Sequence, residues 1–286
     1  MSTMTPLTLN SAVFRGNFLK TALLLCALVA FLGGGGGEAC EAGSTAPVVT
    51  LPASLQTFPH DPASFTQGLV YQNGVFWEST GLYGRSSLSK RSVRTGKILS
   101  KIRLGSRFFG EGVALFKGQL IQLTWKHQTG FVYTPDPLRR VQTLSYAGQG
   151  WGLAVYDNQL VMSDGSSQLT FRDQSLQPTK RIEVRDGTRQ VKSLNELETI
   201  QGLLWANVWP TDRIVILDPS SGRVQAWLDC SSLRERFPVL HEAGALNGIA
   251  FDPQNERVFI TGKLWPLVIA FSLQDLNLPC EAQTRD

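Results

Sequence analysis

Five stretches of this chain begin with a residue that could bind or react with a polar group, and all five share one internal spacing. The starting residues are Gln67, Glu111, Trp151, Asn195 and Asn247. Fourteen residues later the first four stretches reach Gly81, Trp125, Gly165 and Trp209, and the fifth, with a turn two residues longer, reaches Lys263 sixteen residues later. A carboxylate, an ammonium group, amides and indoles at matching positions could hold a small polar group and move its protons.

Each stretch reads as strand, tight turn, strand. Four of the turns are dipeptides that begin six residues after the start, namely Asn73-Gly74, Lys117-Gly118, Asp157-Asn158 and Gln201-Gly202. A hairpin returns its second strand to the height at which the first began, so both marked positions of a stretch lie at the same edge of a sheet. If the five sheets stand in a ring, the marked positions gather around one mouth.

The repeats also predict the fold. Repeats of roughly 40 to 50 residues with several short strands are typical of propeller blades. Two more candidate strands follow each of the first four hairpins, but the fifth is followed by one, residues 267–273. The strand-like residues 48–58 could pair with it and remove an open edge. We therefore predict an all-β, five-bladed β-propeller, closed by an N-terminal strand in the last blade. A β-sandwich or barrel would explain the strands but not their shared spacing.

Glu111 is the carboxylate among these positions, and it lies between Gly110 and Gly112. Burial among aromatic residues would remove its solvation and raise its pKa towards values useful for acid–base catalysis. The alternative is a structural salt bridge, for example to Lys263.

Aromatic and amide residues share the same mouth. Trp125, Trp151 and Trp209 could form an aromatic cup, because interior packing would not require three tryptophans at equivalent edge positions; each alone could be a core residue. Gln67, Asn195 and Asn247 could orient an amide or cap strand ends.

The N-terminal residues resemble a secretory signal. Arg15 and Lys20 precede twelve apolar residues (21–32), and small residues follow. A basic flank, a short apolar segment and a small-residue cleavage region are typical of such signals, whereas a spanning helix needs about 20 apolar residues. We expect residues 1–42 to be a signal peptide with a short linker, and residues 43–286 to be one secreted or periplasmic domain. An uncleaved anchor and a lipoprotein at Cys40 are the alternatives.

Composition and motifs limit the function classes. The net charge is +4, and the basic residues are scattered rather than arranged in a stripe, so nucleic acid is not an expected partner. There is no Gly-x-Ser-x-Gly, phosphate-binding loop or His-Glu-x-x-His motif, and His60, His127 and His241 lie apart without clustered carboxylates. We therefore expect no metal and no cofactor. Cys230 and Cys280 could form a disulfide or remain two free thiols.

Longer blocks of sequence frame the marked positions. Residues 58–71 read Phe-Pro-His-Asp-Pro-x-x-Phe-Thr-Gln-Gly-Leu-Val-Tyr, and further blocks occupy residues 78–87, 109–112, 151–154, 163–165, 194–198, 205–209, 246–250 and 261–266. Together they resemble the plant and bacterial type of glutaminyl cyclase across nearly the whole mature chain. One departure is Trp77, where that family is expected to have Phe.

The resemblance implies a secreted five-bladed propeller that differs in fold and metal use from the zinc-dependent animal cyclases. It implies cyclisation of an N-terminal glutamine to pyroglutamate with release of ammonia, and monomeric action on peptides or proteins. It also implies a site made of Phe65, Gln67, Phe109, Glu111, Trp125, Trp151, Trp209 and Lys263, with Asn195 and Glu196 adjacent.

Within this reading, Glu111 and Lys263 are the predicted catalytic residues and the others bind substrate. Two alternatives stay open: a non-catalytic propeller that binds a peptide end or a sugar, and a propeller lactonase. A lactonase would need clustered metal-binding carboxylates and Asn at the axis.

Overall fold

The computed structural model describes residues 45–279. The predicted signal peptide (residues 1–42), Cys40 and Cys280 lie outside these residues, so the cleavage and the Cys230–Cys280 pairing stay predictions. Within the described residues the chain forms five blades of antiparallel strands, in the order of the sequence. The five-bladed propeller predicted from the repeats is confirmed.

The strands follow one another in chain order. Two short strands, β1 (Val48–Thr50) and β2 (Gln56–Pro59), come first. The first blade is β3 (Thr66–Gln72), β4 (Val75–Thr80), β5 (Ser87–Ser92) and β6 (Ile98–Arg103). The second is β7 (Gly110–Phe116), β8 (Gln119–Thr124), β9 (Thr129–Pro135) and β10 (Leu138–Ser145). The third is β11 (Leu153–Tyr156), β12 (Gln159–Ser163), β13 (Gln168–Arg172) and β14 (Pro178–Glu183).

A short hairpin, β15 (Arg185–Asp186) and β16 (Arg189–Gln190), precedes the fourth blade. That blade is β17 (Leu194–Ile200), β18 (Leu203–Val208), β19 (Arg213–Leu217) and β20 (Val224–Asp229). The helix α1 (Ser232–Arg236) and a 3₁₀ turn (Pro238–Leu240) follow. The fifth blade contains β21 (Leu246–Asp252), β22 (Arg257–Gly262) and β23 (Leu267–Ser272), followed by a 3₁₀ turn, Leu273–Asp275. Between residues 45 and 279, no helix has the length and apolarity needed to cross a bilayer.

The predicted turn dipeptides form the hairpins as expected. Both residues of each dipeptide have positive φ, for example 47° and 80° at Asn73 and Gly74, and 46° and 77° at Gln201 and Gly202. Two central residues with positive φ match the right-handed twist of the flanking strands, so they join them with the smallest loop.

The core lies between the blades. Five hydrophobic clusters of the described residues each combine side chains from two neighbouring blades, and one of them joins the first blade to the fifth. The innermost strands are largely buried, whereas outermost strands such as β6 and β10 are mostly exposed. Burial therefore increases towards the axis, where the marked residues begin each blade.

The ring closes partly as the sequence predicts. Residues 56–59 pair antiparallel with β23, with Thr57 opposite Ile269 and Phe58 opposite Val268. The prediction that residues 48–58 form one strand on β23 is wrong for its first half, because β1 pairs parallel with β20 of the fourth blade. Pro52 lies between the two strands and cannot donate a ladder hydrogen bond, which separates them. The N-terminal segment therefore joins the fourth and fifth blades.

Candidate functional site

Register shifts place the predicted polar residues at the mouth. In four of the five innermost strands, the ladder to the second strand shifts at the starting residue of the repeat. The positions skipped by these ladders include Gln67, Glu111, Asn195 and Asn247. A residue at such an irregularity leaves the regular alternation of the strand, so its side chain can be re-aimed.

Small residues allow the innermost strands to approach at the axis. A Cβ atom on Gly68 would lie 2.5 Å from the backbone nitrogen of Val113, and one on Gly152 would lie 2.0 Å from the carbonyl oxygen of Asn195. Neither contact can be relieved by moving a flexible side chain. Glycine after the starting residue is therefore what lets neighbouring blades bring their marked side chains together.

Glu196 occupies the equivalent place in the fourth blade. Its Oε1 accepts the backbone N–H of Leu69 at 3.2 Å, and its Oε2 accepts that of Ile249 at 2.8 Å. Burial, and then the charge of Glu198, raise the pKa of Glu196 well above its usual value. Because both carboxyl oxygens accept from backbone groups of other blades, Glu196 joins the strands that carry the site.

Glu111 lies at the end of a chain of amides. The Gln67 side chain donates from Nε2 to Glu111 Oε2 at 2.6 Å, and Asn247 donates from Nδ2 to Gln67 Oε1 at 3.2 Å. Asn247 Nδ2 also donates to the carbonyl of Thr66, which sets the orientation of the Asn247 amide. Because Gln67 Oε1 accepts from Asn247, the Gln67 N–H₂ group faces Glu111. Asn247 thus orients Gln67, and Gln67 holds the carboxyl group.

Glu111 and Lys263 influence each other without a direct ion pair. Burial raises the pKa of Glu111 well above its usual value, against the opposing effects of Lys263 and the Gln67 hydrogen bond. Burial lowers the pKa of Lys263 to about 8, opposed by Glu111. No Glu111–Lys263 ion pair forms within 4.0 Å in the described chain. The expected rise in the Glu111 pKa is confirmed, and burial shifts both Glu111 and Lys263 towards their neutral forms.

The aromatic residues and Lys263 form a series of side-chain contacts that runs from Trp125 to Trp151. Lys263 Nζ lies 5.0 Å from the Phe65 ring centroid and 6.0 Å from that of Trp209. Ring centroids are 6.0 Å apart for Phe65 and Phe109, 5.7 Å for Phe109 and Trp125, and 6.1 Å for Trp151 and Trp209. The structure therefore connects six of the nine predicted site residues through side-chain contacts or through Gln149. Glu111 joins them through its electrostatic interaction with Lys263, and Gln67 through its hydrogen bond to Glu111.

Gln149 completes the ring, and no sequence pattern pointed to this residue. Its Oε1 accepts the indole N–H of Trp125 at 2.7 Å and that of Trp151 at 3.2 Å. It precedes the marked Trp151 by two residues and lies outside the repeat spacing. The indole N–H groups of Trp125 and Trp151 therefore both have a hydrogen-bond partner within the protein.

Exposure increases from Glu111 to the rim. Glu111 is 3% exposed and Lys263 7%, whereas Trp209 is 42% exposed. Phe65, Phe109, Trp125 and Trp151 are intermediate. Among the predicted site residues named here, Glu111 and Lys263 are therefore the least exposed and Trp209 the most exposed.

Asn195 is the predicted site residue that the structure places apart from this ring. Its backbone carbonyl accepts from the Ser163 hydroxyl at 2.6 Å, and its side-chain Oδ1 is buried without a hydrogen-bond partner among residues 45–279. A buried carbonyl oxygen without a partner is costly, so Asn195 is suited to accept from a bound donor.

A second buried charge cluster lies beside the site, and in it His60 contacts one carboxylate, that of Glu78. His60 Nε2 lies 2.9 Å from Glu78 Oε1, and Arg91 Nε lies 2.6 Å from Glu78 Oε2. Glu78 also accepts from the Thr66 hydroxyl, next to Gln67, at 2.8 Å. Burial would raise the pKa of Glu78, but His60, Arg91 and Thr66 hold it at about 2. This cluster fixes the start of β3.

Replacing Glu78 with glutamine should destabilise the fold by about 3–5 kcal/mol at pH 7, because His60 would be left buried without a counter-charge and Arg91 would keep only its pair with the more exposed Asp61. The lowered Glu78 pKa means that its contribution is present at neutral pH and is lost as the pH falls towards 2. Urea unfolding measures the change. The matched control is Glu183→Gln, which removes the ion pair with the half-exposed Arg185 and should cost less than about 1 kcal/mol. If Glu78→Gln and Glu183→Gln lowered the free energy of unfolding equally, the structural role of the cluster would be contradicted.

Metal ligands are not grouped in the described part of the chain. Between residues 45 and 279, no three His, Cys, Asp or Glu side chains come together as a metal site would require. Independence from metal remains a prediction, and it is tested below.

Known proteins resemble this chain over most of its length. A sequence model of the glutamine cyclotransferase family matches residues 26–273. Glutaminyl-peptide cyclotransferase of Arabidopsis thaliana is 41% identical over 225 residues, which are 77% of this chain and 70% of that protein. The crystal structure of Myxococcus xanthus glutaminyl cyclase is 33% identical, with a TM-score of 0.73, over 82% of this chain and 99% of the other. The chain therefore belongs to the glutamine cyclotransferase family.

Proposed function

We propose that this protein is a glutaminyl-peptide cyclotransferase, which converts the N-terminal glutamine of peptides or proteins to pyroglutamate and releases ammonia. The observation that carries the proposal is the buried Glu111 at the base of an aromatic funnel, in a chain that belongs to this family. Its raised pKa suits a group that must accept a proton and return it.

The reaction needs positioning more than the assembly of two reactants. The α-amine nitrogen attacks the side-chain carbonyl carbon, a C–N bond forms, and the bond to the amide nitrogen breaks as ammonia leaves. Nucleophile and electrophile belong to the same residue, so the protein must hold a bent conformer in which the two approach. The aromatic walls from Phe65 to Trp209 would hold the flat side chain and exclude water, which limits hydrolysis of the amide.

Glu111 is the proposed proton shuttle. The α-amine must lose a proton as it attacks, and the departing nitrogen must gain one. A single carboxylate near both nitrogens can act first as base and then as acid. Its hydrogen bond from Gln67 fixes the position of one carboxyl oxygen and leaves Oε1 for the substrate.

Lys263 is the proposed partner of the substrate oxygen. Charge develops on the amide oxygen during attack, and a donor set in advance in a buried site stabilises it. The indole N–H groups of Trp125 and Trp151 are bound to Gln149, which leaves the Lys263 ammonium as the charged donor nearby. The unpartnered Asn195 Oδ1 would accept from a substrate N–H.

The test is ammonia release by purified protein from a dipeptide that begins with glutamine, in the presence of excess EDTA. We expect turnover to persist in the chelator, without any added divalent ion. A protein that binds the peptide without releasing ammonia would be a non-catalytic propeller, and the proposal would fail. Loss of turnover in EDTA, restored by zinc, would leave the reaction in place but refute metal independence.

A further inference from the structure

A cavity of about 170 Å³ opens at the edge of the first blade, beside the aromatic wall. Its lining includes Asp61, Ser64, Gly81, Arg85, Lys101 and Arg103. Nothing in the proposed chemistry of Glu111 and Lys263 uses these residues.

The cavity carries more positive than negative charge. Within residues 45–279, Arg85, Lys101 and Arg103 form no ion pair. The nearby carboxylates are already engaged, since Arg91 pairs with Asp61 at 3.2 Å and with the buried Glu78. Burial, and then the charges of Arg91 and Arg103, lower the pKa of Lys101, against the opposing charges of Asp61 and Glu78. An added anion would relieve this repulsion.

The cavity and the funnel share their wall. Ser64 directly precedes Phe65, and the backbone N–H of Gly81 donates to the Phe65 carbonyl at 2.8 Å. Gly81 packs so closely on Phe109 that a Cβ atom there would lie 2.3 Å from the ring. A peptide whose first residue lies in the funnel must leave through the rim, and its next four residues cover roughly 14 Å when extended. The strand β6, which carries Lys101 and Arg103, is three strand spacings, or roughly 14 Å, from β3, so a peptide of that length can span the first blade.

We propose that this cavity is a subsite for a carboxylate of the peptide substrate, either an acidic side chain shortly after the N-terminal glutamine or the C-terminal carboxylate of a short peptide. The inference rests on the proposed cyclisation of peptide substrates. The subsite would select among substrates through Arg85, Lys101 and Arg103 without taking part in bond formation.

The experiment compares kcat/KM for glutamine-initiated pentapeptide amides that carry Glu or Gln at each of positions 2 to 5. We expect at least one Glu position to be favoured by about 3- to 10-fold at low salt, the range for a few exposed charge contacts, and the preference to shrink in 0.5 M NaCl as charges are screened. A second series compares short peptides with a free and an amidated C-terminus, which separates the two sources of the carboxylate.

Two charge-matched double variants decide the location. Lys101→Gln with Arg103→Gln removes two cations from β6, the outermost strand of the first blade, and should bring the Glu-to-Gln ratio close to 1. Lys180→Gln with Arg181→Gln removes the same charges from β14, the outermost strand of the third blade, and should preserve the ratio. If both double variants lost the preference for Glu equally, the preference would be a general effect of net charge, and the subsite proposal would be refuted. Turnover of neutral peptides by the wild type without any carboxylate preference would refute the subsite and leave the proposed function intact. No turnover of any peptide would refute both.

Discussion

Replacing Glu111 with glutamine should lower kcat by about 10²–10⁴-fold and change KM little. The glutamine side chain keeps the shape of the group and can still bond to Gln67, but it cannot carry a proton from the amine to the leaving nitrogen. Substrate would still be held by the aromatic walls and Lys263. Steady-state ammonia release over a range of glutamine-dipeptide concentrations separates kcat from KM.

The melting temperature of the same Glu111→Gln preparation distinguishes a catalytic role of Glu111 from a structural one. Burial raises the Glu111 pKa, so the folded protein keeps a proton at pH values where the unfolded chain has lost it, and this group's contribution to stability falls as the pH rises above the usual carboxyl range. Glutamine does not titrate. The variant should therefore melt like the wild type at low pH, and at the same temperature or higher near pH 8. A structural salt bridge to Lys263 predicts the opposite: a lower melting temperature with turnover intact in the folded fraction.

Glu198 supplies a matched control for this substitution. It too has a pKa raised by burial, to about 8, and its carboxyl accepts the backbone N–H of Thr199 at 3.1 Å, away from the funnel contacts. Glu198→Gln removes a buried acid without touching the aromatic ring or Gln67, so turnover should stay within a few-fold of the wild type. If both variants lost activity equally, loss of a buried charge rather than of the shuttle would explain the effect. A stable Glu111→Gln protein with near-native turnover would remove Glu111 from the mechanism.

The repeat spacing was enough to predict the propeller and the hairpins that carry the marked residues. Equal spacing means that the two marked positions of each hairpin are separated by nearly the same length of chain. A hairpin folds that length back on itself, so both positions lie at the same edge of the blade. Hence Glu111, Trp125, Trp209 and Lys263, which are far apart in sequence, could be placed at one mouth. The turn dipeptides added a local constraint, since few residue pairs accept two positive φ angles in succession.

Other features depended on contacts that spacing does not encode. Gln149 lies in a loop between two blades. Its amide oxygen accepts from the indoles of Trp125 and Trp151 only because the folded chain brings both indoles close to it. The partnership of His60 with Glu78 joins the segment before the first blade to that blade's second strand, so it appears only once the ring has closed. Likewise, the repeat pattern could identify a missing strand in the last blade but not that β1 would pair with the fourth.

Deleting residues through Phe58, so that the mature chain begins at Pro59, should leave most of the protein unfolded or aggregated at 37 °C. The deletion removes the ladder between β2 and β23 and three apolar side chains that pack against the interblade clusters: Val49 and Leu51 at the fourth and fifth blades, and Phe58 at the fifth and first. Burying such side chains is worth about 1.5–3 kcal/mol each, so their loss approaches the stability of a typical domain, about 5–15 kcal/mol. The uncovered edge of β23 would also invite pairing with other chains.

A shorter deletion separates ring closure from the loss of an N-terminal tail. A chain beginning at Leu51 lacks β1, which is an added fifth strand on the fourth blade, but keeps the complete fifth blade. It should stay folded and monomeric, with a modest drop in melting temperature, because one buried side chain, Val49, and a three-residue parallel ladder are lost. Thermal melts and size-exclusion chromatography of both truncations, beside a chain beginning at Thr45, give the comparison. If the chain beginning at Pro59 melted like the one beginning at Thr45, β2 would not be what closes the ring, and the aromatic contacts between Lys263 and Phe65 would have to be held by the innermost strands alone.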